Sequence, residues 1–354
     1  MLREVQRIAA ASPEEILRTF VPAREPVVIE GFLRGTPLED VSTLVQARVQ
    51  LGDVPLELRE EFVSWSLRHG GAADRRPSRQ CTLAQYLSLL DAEPSTPWMC
   101  TEHPTPDPLV ARMGPAPRAL AGGAPLVSFS FVGGRGHHAH LHYDGDFRNV
   151  LLVQVFGQKR AVLVEPAASH FVLPVGNFSG VFIDRLEGKA RGAFLDLVDA
   201  WTAEIGPGDA LFMPAAIWHF LEYPDTGMSI NLRFGASDVN AKLAGRFHPH
   251  SSLQRLAWHF ADAHAPSAKE EEGVGRLLAL AQTPSSNTRA TGAAVEEMSG
   301  RLANEWCGAA SVSPFVGNSD ALGEAATLYE SARLYPAARA SLAEVLSGWG
   351  TAGR

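Results

Sequence analysis

The sequence predicts a mainly β protein with α elements, in which a β-sandwich or barrel sits between two helical flanks. Three observations predict it. From Leu126 onward, short apolar runs alternate with turns, at 126–132, 150–156, 159–165, 202–205, 210–213 and 228–234. Short, regularly spaced strands with no long helix between them argue for a sandwich or barrel. Before residue 125 helical and strand signals are mixed, and after Gly235 the pattern turns helical to the end. Three parts follow: 1–125, N-terminal helical and strand elements packing on the core; 126–235, the β core; and 236–354, a C-terminal helical region.

Taken in order, Ser12-Pro13-Glu14-Glu15 supplies a capping serine, a proline at the first helical position and a glutamate three residues after the cap. Ile16, Leu17 and Phe20 give that helix an apolar face. Pro26-Val27-Val28-Ile29-Glu30-Gly31 reads as a short buried strand ending at glycine. Residues 60–95 are mixed, with a helix from Thr82 to about Leu90. The stretch 104–125, rich in Pro, Gly and Ala, reads as a loop or irregular crossover. In the core, Gly157-Gln158 predicts a tight hairpin between its flanking runs, and Gly206-Pro207-Gly208-Asp209 separates two others. The stretch 166–200 is an insert with a helix at 190–200. Helices are expected at 239–263, 274–283, 289–306, 319–334 and 336–348, with a polar linker at 264–273. This tail is apolar enough to pack on the barrel or on a second copy of the chain, and a homodimer through it is expected.

The 354 residues are 45% hydrophobic and 20% charged, an ordinary globular balance. Net charge is −8 with basic residues scattered, so a nucleic-acid partner held by phosphate contacts is not indicated. No run of about 18 apolar residues offers a membrane span, and the N-terminus lacks the apolar core of a signal peptide. Cys81, Cys100 and Cys307 are odd in number and far apart. They read as reduced thiols of a cytoplasmic protein rather than as a disulfide framework or a thiolate zinc site. Only Lys159, Lys189, Lys242 and Lys269 stand among 31 basic residues, so each lysine raises the question of why it is not arginine.

The chemistry concentrates at His137-His138-Ala139-His140-Leu141-His142-Tyr143-Asp144. In an extended strand residues i and i+2 face one side, so His142 and Asp144 can present an imidazole nitrogen and a carboxylate oxygen to one ion. His219, after the proline-marked bend at Pro214, is the best third ligand. Two histidines and a carboxylate leave three positions of a metal open, the facial triad of Fe(II) oxygenases. The open positions accept a bidentate 2-oxo acid and then O2. Taken singly, these features are bland: His-x-Asp is common by chance, and His219 beside Trp218 can be a packed histidine. His140 and His138 continue the alternation of His142. His140 can compete as a ligand, or both can be solvent-facing or substrate-side residues. Asp146 repeats the spacing after Gly145, where the strand breaks.

Leu141-His142-Tyr143-Asp144, the run Asn149 to Arg160, Val162-Leu163-Val164-Glu165-Pro166, and Gly206 to Pro214 followed by Trp218-His219 together resemble the core of JmjC-type, cupin-like hydroxylases. The subgroup most resembled is that of asparaginyl and tRNA-wybutosine hydroxylases, over about residues 20–235. The resemblance implies a double-stranded β-helix (cupin or jelly-roll) core and Fe(II) held by His142, Asp144 and His219. It also implies 2-oxoglutarate as cosubstrate, with O2. By it, Lys159 pairs with the distal carboxylate of 2-oxoglutarate, and Asn149 and Asn231 touch the cosubstrate or line its pocket. Tyr143, His140 and Trp218 are substrate-side candidates. Two departures stand out. Ala139 occupies a position where the family often has a Thr or Ser that bonds the cosubstrate, leaving Ser128, Ser130 or Tyr143 to supply the hydroxyl. Arg233, which shares a strand face with Ser229 and Asn231, can hold the cosubstrate instead of Lys159 or meet an acidic substrate group.

Three functions follow: hydroxylation of a peptide or protein side chain, the same chemistry on a free amino acid or natural product, and a non-oxygenase cupin holding Zn or Mn. No zinc-binding cysteine cluster or chromatin-reader module supports a histone demethylase. Gly133-Gly134-Arg135-Gly136 precedes no helix and makes a weak phosphate loop.

Overall fold

The computed structural model describes residues 3–69, 76–124, 126–172, 174–175, 177–186, 188–244, 251–261, 266–282 and 288–308. Before the core lie β1 (Arg3–Glu4), β2 (Gln6–Ala9), β3 (Val27–Glu30), β4 (Pro55–Glu60), β5 (Arg79–Thr82) and β6 (Trp98–Pro104). The core begins with β7 (Val127–Gly133), β8 (His138–His142), β9 (Asn149–Phe156) and β10 (Lys159–Val164). The insert adds β11 (Pro174–Val175), β12 (Phe178–Ser179) and a helix at Gly188–Leu197. The core then closes with β13 (Trp201–Ile205), β14 (Ala210–Met213), β15 (Trp218–Glu222) and β16 (Gly227–Phe234).

These strands form a seven-stranded sheet, β1-β13-β10-β15-β8-β12-β11, and a nine-stranded sheet, β2-β3-β14-β9-β16-β7-β6-β4-β5. The central four of each, β13-β10-β15-β8 and β14-β9-β16-β7, are the two faces of a double-stranded β-helix. Apart from the insert, consecutive core strands change sheet or return across it, which is jelly-roll winding. The hairpin expected at Gly157-Gln158 is therefore corrected. β9 pairs with β14 and β16, and β10 with β13 and β15, so the two residues cross between sheets. Glycine is required there. Gly157 has φ +67°, and a Cβ would sit 2.2 Å from the Thr226 carbonyl oxygen.

Alternation sorts the strands into layers. Val150, Leu152, Ala161, Leu163, Leu211, Met213 and Leu221 fill the space between the sheets. Their outward neighbours Leu151, Val153, Phe212, Ile230 and Leu232 pack beneath N-terminal elements that contribute Ile16, Leu51, Tyr86 and Leu87. On the other sheet Val162, Val164, Trp218 and Phe220 pack against Phe194 of the insert and Leu256, Phe260, Leu277 and Leu302 of the C-terminal helices. The described tail thus covers the barrel. Gly206-Pro207-Gly208-Asp209 does more than separate strands: Asp209 accepts from Gly31 N at 3.0 Å and from Arg7 Nη2 at 3.0 Å, tying in β2 and β3.

The cap at Ser12 forms, and the helix expected from Thr82 begins there, closed by a full capping box with Gln85. Two expectations change. The stretch 104–125 holds short helices at Asp107–Ala111 and Ala116–Ala121. Part of the expected linker is helix Ala268–Gln282, whose start Ser267 and Glu270 fix and which His259 meets at 2.8 Å. The tail also contains helices Asp238–Leu243, Ser251–His259 and Thr288–Cys307. The helices expected at 319–334 and 336–348 lie outside the described residues. Among the described residues no helix is long and apolar enough to cross a membrane.

Candidate metal centre

His142 closes β8, and His219 stands directly opposite it on antiparallel β15. Their ring centroids are 4.2 Å apart. Asp144 lies just past the end of β8, in a turn, with Oδ1 3.9 Å from His142 Nε2. One ligand atom from each of the three falls within 4.8 Å of the others, so two stretches 75 residues apart meet at one point. Backbone carbonyls orient both rings. His142 Nδ1 lies 2.6 Å from the His140 oxygen and His219 Nδ1 3.2 Å from the Ile217 oxygen. A carbonyl only accepts, so each Nδ1 carries the hydrogen and each Nε2 is left to face the other ligands. Burial, and then the neighbouring His142, pushes the His219 imidazole down to about 4, which keeps its lone pair available for an ion.

A β-bulge shapes the site. Between His219 and Leu221 on β15, β8 runs from His142 to Ala139, one residue more than its partner. The expected alternation of His138, His140 and His142 is broken. Ala139 and His142 border the cavity with Leu221, while Leu141 turns into the apolar layer beneath the C-terminal helices. His140 is buried at the cavity wall, with Nε2 donating to Ser179 O at 2.7 Å and its ring 4.7 Å from Phe182. It stands outside the group that brings His142, Asp144 and His219 together.

The cavity in front of this group measures about 260 Å³ and also meets Lys159, Asn231 and Arg233. Lys159 is 1% exposed on the inward face of β10. Its Nζ donates to Ser229 Oγ at 2.6 Å and lies 4.5 Å from the ring centre of Tyr223. Among the described residues no carboxylate lies within ion-pairing distance of it. Burial pushes this ammonium down to about 7. Arg233 is the opposite case. It meets Asp144 at 3.1 Å, Asp146 at 3.2 Å and Glu102 at 2.8 Å. Burial alone would weaken its charge; the three acids reverse that and raise its pKa. Burial works to lift Asp144 in turn, but Arg233 and the two imidazoles outweigh it and hold the carboxyl below its ordinary range.

Several sequence-predicted residues sit elsewhere. Asn149 does not border the cavity. Its Nδ2 donates to Gly235 O at 3.1 Å and its Oδ1 accepts from Ala215 N at 3.0 Å, clamping the ends of β14 and β16. Tyr143 and Trp218 point away into the layer under the C-terminal helices, edge to face at 4.9 Å. The Trp218 indole N–H donates to Ser169 Oγ. Of the hydroxyls expected to replace the one missing at Ala139, Ser130 is paired with Thr105, Tyr143 is packed away, and Ser128 lies off the cavity wall. Sequence reasoning missed Tyr223, whose buried hydroxyl has no partner among the described residues and which borders the cavity. A signal existed in the glycine pair 133–134: a Cβ on Gly133 would strike the Tyr223 ring at 2.9 Å.

The donor set suits a hard or borderline divalent ion with open positions. Among the described residues, the uncompensated Lys159 ammonium and the orphaned Tyr223 hydroxyl, both donors, suit a small anion beside it. A double-stranded β-helix with two histidines and an aspartate converging at one end defines a cupin barrel with a potential metal site. A family profile described as a cupin-like domain matches residues 13–237, and the chain belongs to that family. Jumonji C domain-containing protein 5 of Drosophila melanogaster is 23% identical over 246 residues, which cover 64% of this chain and 59% of that relative.

Proposed function

We propose that this protein is an Fe(II)- and 2-oxoglutarate-dependent oxygenase that hydroxylates a C–H bond on a peptide or protein side chain. The observation that carries the reading is the pairing, in one cavity, of the His142/Asp144/His219 group with a buried lysine that, among the described residues, has no carboxylate partner. His142 Nε2, His219 Nε2 and the Asp144 carboxylate would hold the iron. Lys159 would receive the distal carboxylate of 2-oxoglutarate, with Ser229, Tyr223 and Asn231 around it. Arg233 is a weaker candidate for that task because three acids already occupy its fork. Once bound, iron and 2-oxoglutarate supply the oxidising chemistry, with O2 consumed and the 2-oxo acid decarboxylated to succinate.

The protein's own contribution is placement. The carbonyls of His140 and Ile217 fix the two imidazole tautomers, Lys159 would anchor an anion at one wall, and Phe131, Phe178 and Leu221 add apolar surface to the cavity. About 260 Å³ is small against the roughly 300–1,000 Å³ of sites that engulf whole ligands. A cavity that also takes 2-oxoglutarate has room for one side chain reaching in, which supports a peptide or protein over a bulky natural product. The three free thiols fit a reducing compartment, and a cytoplasmic location belongs to the same proposal.

The test is aerobic succinate formation from 2-oxoglutarate with Fe(II), followed by mass spectrometry of candidate peptides for a gain of one oxygen. His142→Ala and Asp144→Ala should abolish turnover with an unchanged circular dichroism spectrum. A chain that binds Zn or Mn but never decarboxylates 2-oxoglutarate would be a non-oxygenase cupin.

A further inference from the structure

Arg233 carries more than a cavity wall needs. It sits on the inward face of β16 with its guanidinium carbon 4.9 Å from the ring centre of Phe129. Its fork joins three carboxylates from two other stretches of chain. Nη2 donates to Asp144 Oδ1 at 3.1 Å and to Glu102 Oε1 at 2.8 Å, and Nη1 donates to Asp146 Oδ2 at 3.2 Å. Arg233 and Asp144 have side chains only 10% exposed, whereas Glu102, which shares Nη2 with Asp144, is 58% exposed.

Asp144 is the one member of the triad that no strand holds. β8 ends at His142, and Asp144 and Asp146 share the turn that follows. The two histidines are oriented by backbone carbonyls. The Asp144 carboxylate has Arg233 as its hydrogen-bond partner among the described residues. We propose that Arg233 is a positioning residue of the metal centre. It fixes the Asp144 carboxylate by one oxygen, so that the group meets an ion in a single orientation, and it braces the 143–148 turn against β6 and β16. This rests on the metal-site reading given above. A planar guanidinium fits the task, because Nη2 holds Asp144 while Nη1 holds Asp146 of the same turn, so one rigid group fixes both carboxylates relative to each other.

Simple charge arithmetic points the other way. A cation beside a divalent-ion site repels the ion, so if charge dominated, removing Arg233 would tighten metal binding. Positioning predicts loss. Groups that orient a metal ligand are typically worth about 10–100-fold in affinity.

The experiment is a titration of the full chain with Mn(II), without cosubstrate, followed by the loss of free-ion electron paramagnetic resonance signal. Arg233→Gln should weaken Mn(II) binding by about 10–100-fold. Arg233→Lys, which keeps the charge and loses the fork, should also weaken it several-fold, with a thermal midpoint close to that of the parent. Should Arg233→Gln fail to fold, the Lys variant decides. Unchanged or tighter Mn(II) binding in the folded variants overturns the proposal. His142→Ala separates the two claims: if it binds Mn(II) as the parent does, the metal-site reading itself fails, whatever Arg233 does.

Discussion

Replacing Lys159 by methionine should make the cofactor-free protein more stable while removing its affinity for 2-oxoglutarate. Methionine has similar length and no charge, so the change isolates the cost of the buried ammonium. In the native cavity Nζ has one hydroxyl partner, Ser229, and two aromatic faces. Moving a lysine from 10.5 to about 7 corresponds to about 5 kcal/mol of disfavoured charge. The lost Ser229 hydrogen bond returns about 1 kcal/mol of that, and imperfect packing of the new side chain takes more. A net gain of about 2–4 kcal/mol is expected in acid. The sign with pH follows from linkage. The unfolded chain keeps this proton up to about 10.5 and the folded chain releases it near 7, so between these values the unfolded state binds more protons. The penalty is therefore full below pH 7, fades as pH rises, and is gone above about 10.5. Urea unfolding of parent and Lys159→Met at pH 6 and at pH 9.5 measures it. The variant should be the more stable at pH 6, and the gap should narrow at pH 9.5. A variant no more stable than the parent at pH 6 would refute the picture of an uncompensated cation.

Other outcomes follow from particular contacts. Asn149→Ala should cost about 2–3 kcal/mol in urea unfolding, since it strands the Ala215 N–H and the Gly235 carbonyl. Its 2-oxoglutarate affinity by calorimetry should match the parent; a large loss would return Asn149 to the cosubstrate pocket. Gly157→Ala places a methyl against Thr226 O at a positive φ, and should cost more than about 3 kcal/mol or leave the protein insoluble. Gln254→Leu breaks the chain from Trp218 Nε1 through Ser169 to Gln254 and on to the Ala216 carbonyl. That chain ties a C-terminal helix to the strand bearing His219. The variant should lose about 2–4 kcal/mol of stability and show weaker Mn(II) binding, whereas unaltered metal affinity would mean that the helix only covers the barrel.

The layers of this fold were legible because their signals are local. Period-two alternation along Ser229–Arg233 puts Ser229, Asn231 and Arg233 on one face without any partner, and the apolar run at 159–165 marks a buried strand. Ser12 and Thr82 cap helices through contacts three residues away. The histidine–aspartate pair at 142 and 144 and the proline bend before His219 point to the three residues that the structure brings together. What was not legible depends on distant pairing. Gly157-Gln158 looks the same in a hairpin as in a crossover, and only the partners of β9 and β10 distinguish them. The bulge in β8 exists because β15 takes one residue fewer, which alternation along β8 cannot show. Glu102 reaches Arg233 across 131 residues, and nothing near either predicts it. The family resemblance alone points to Asn149 as a pocket residue, yet both ends of its amide serve the backbone.

The central claim is that one cavity holds both Fe(II) and the distal carboxylate of a 2-oxo acid. Anaerobic calorimetric titration of 2-oxoglutarate into the Fe(II)-loaded chain tests it most directly, with Lys159→Met and His142→Ala alongside. The account predicts one site per chain in the parent, at least about 100-fold weaker binding when the lysine is removed, and binding that no longer depends on iron when the histidine is removed. Failure of the iron-loaded parent to bind 2-oxoglutarate, or undiminished binding by Lys159→Met, would contradict it.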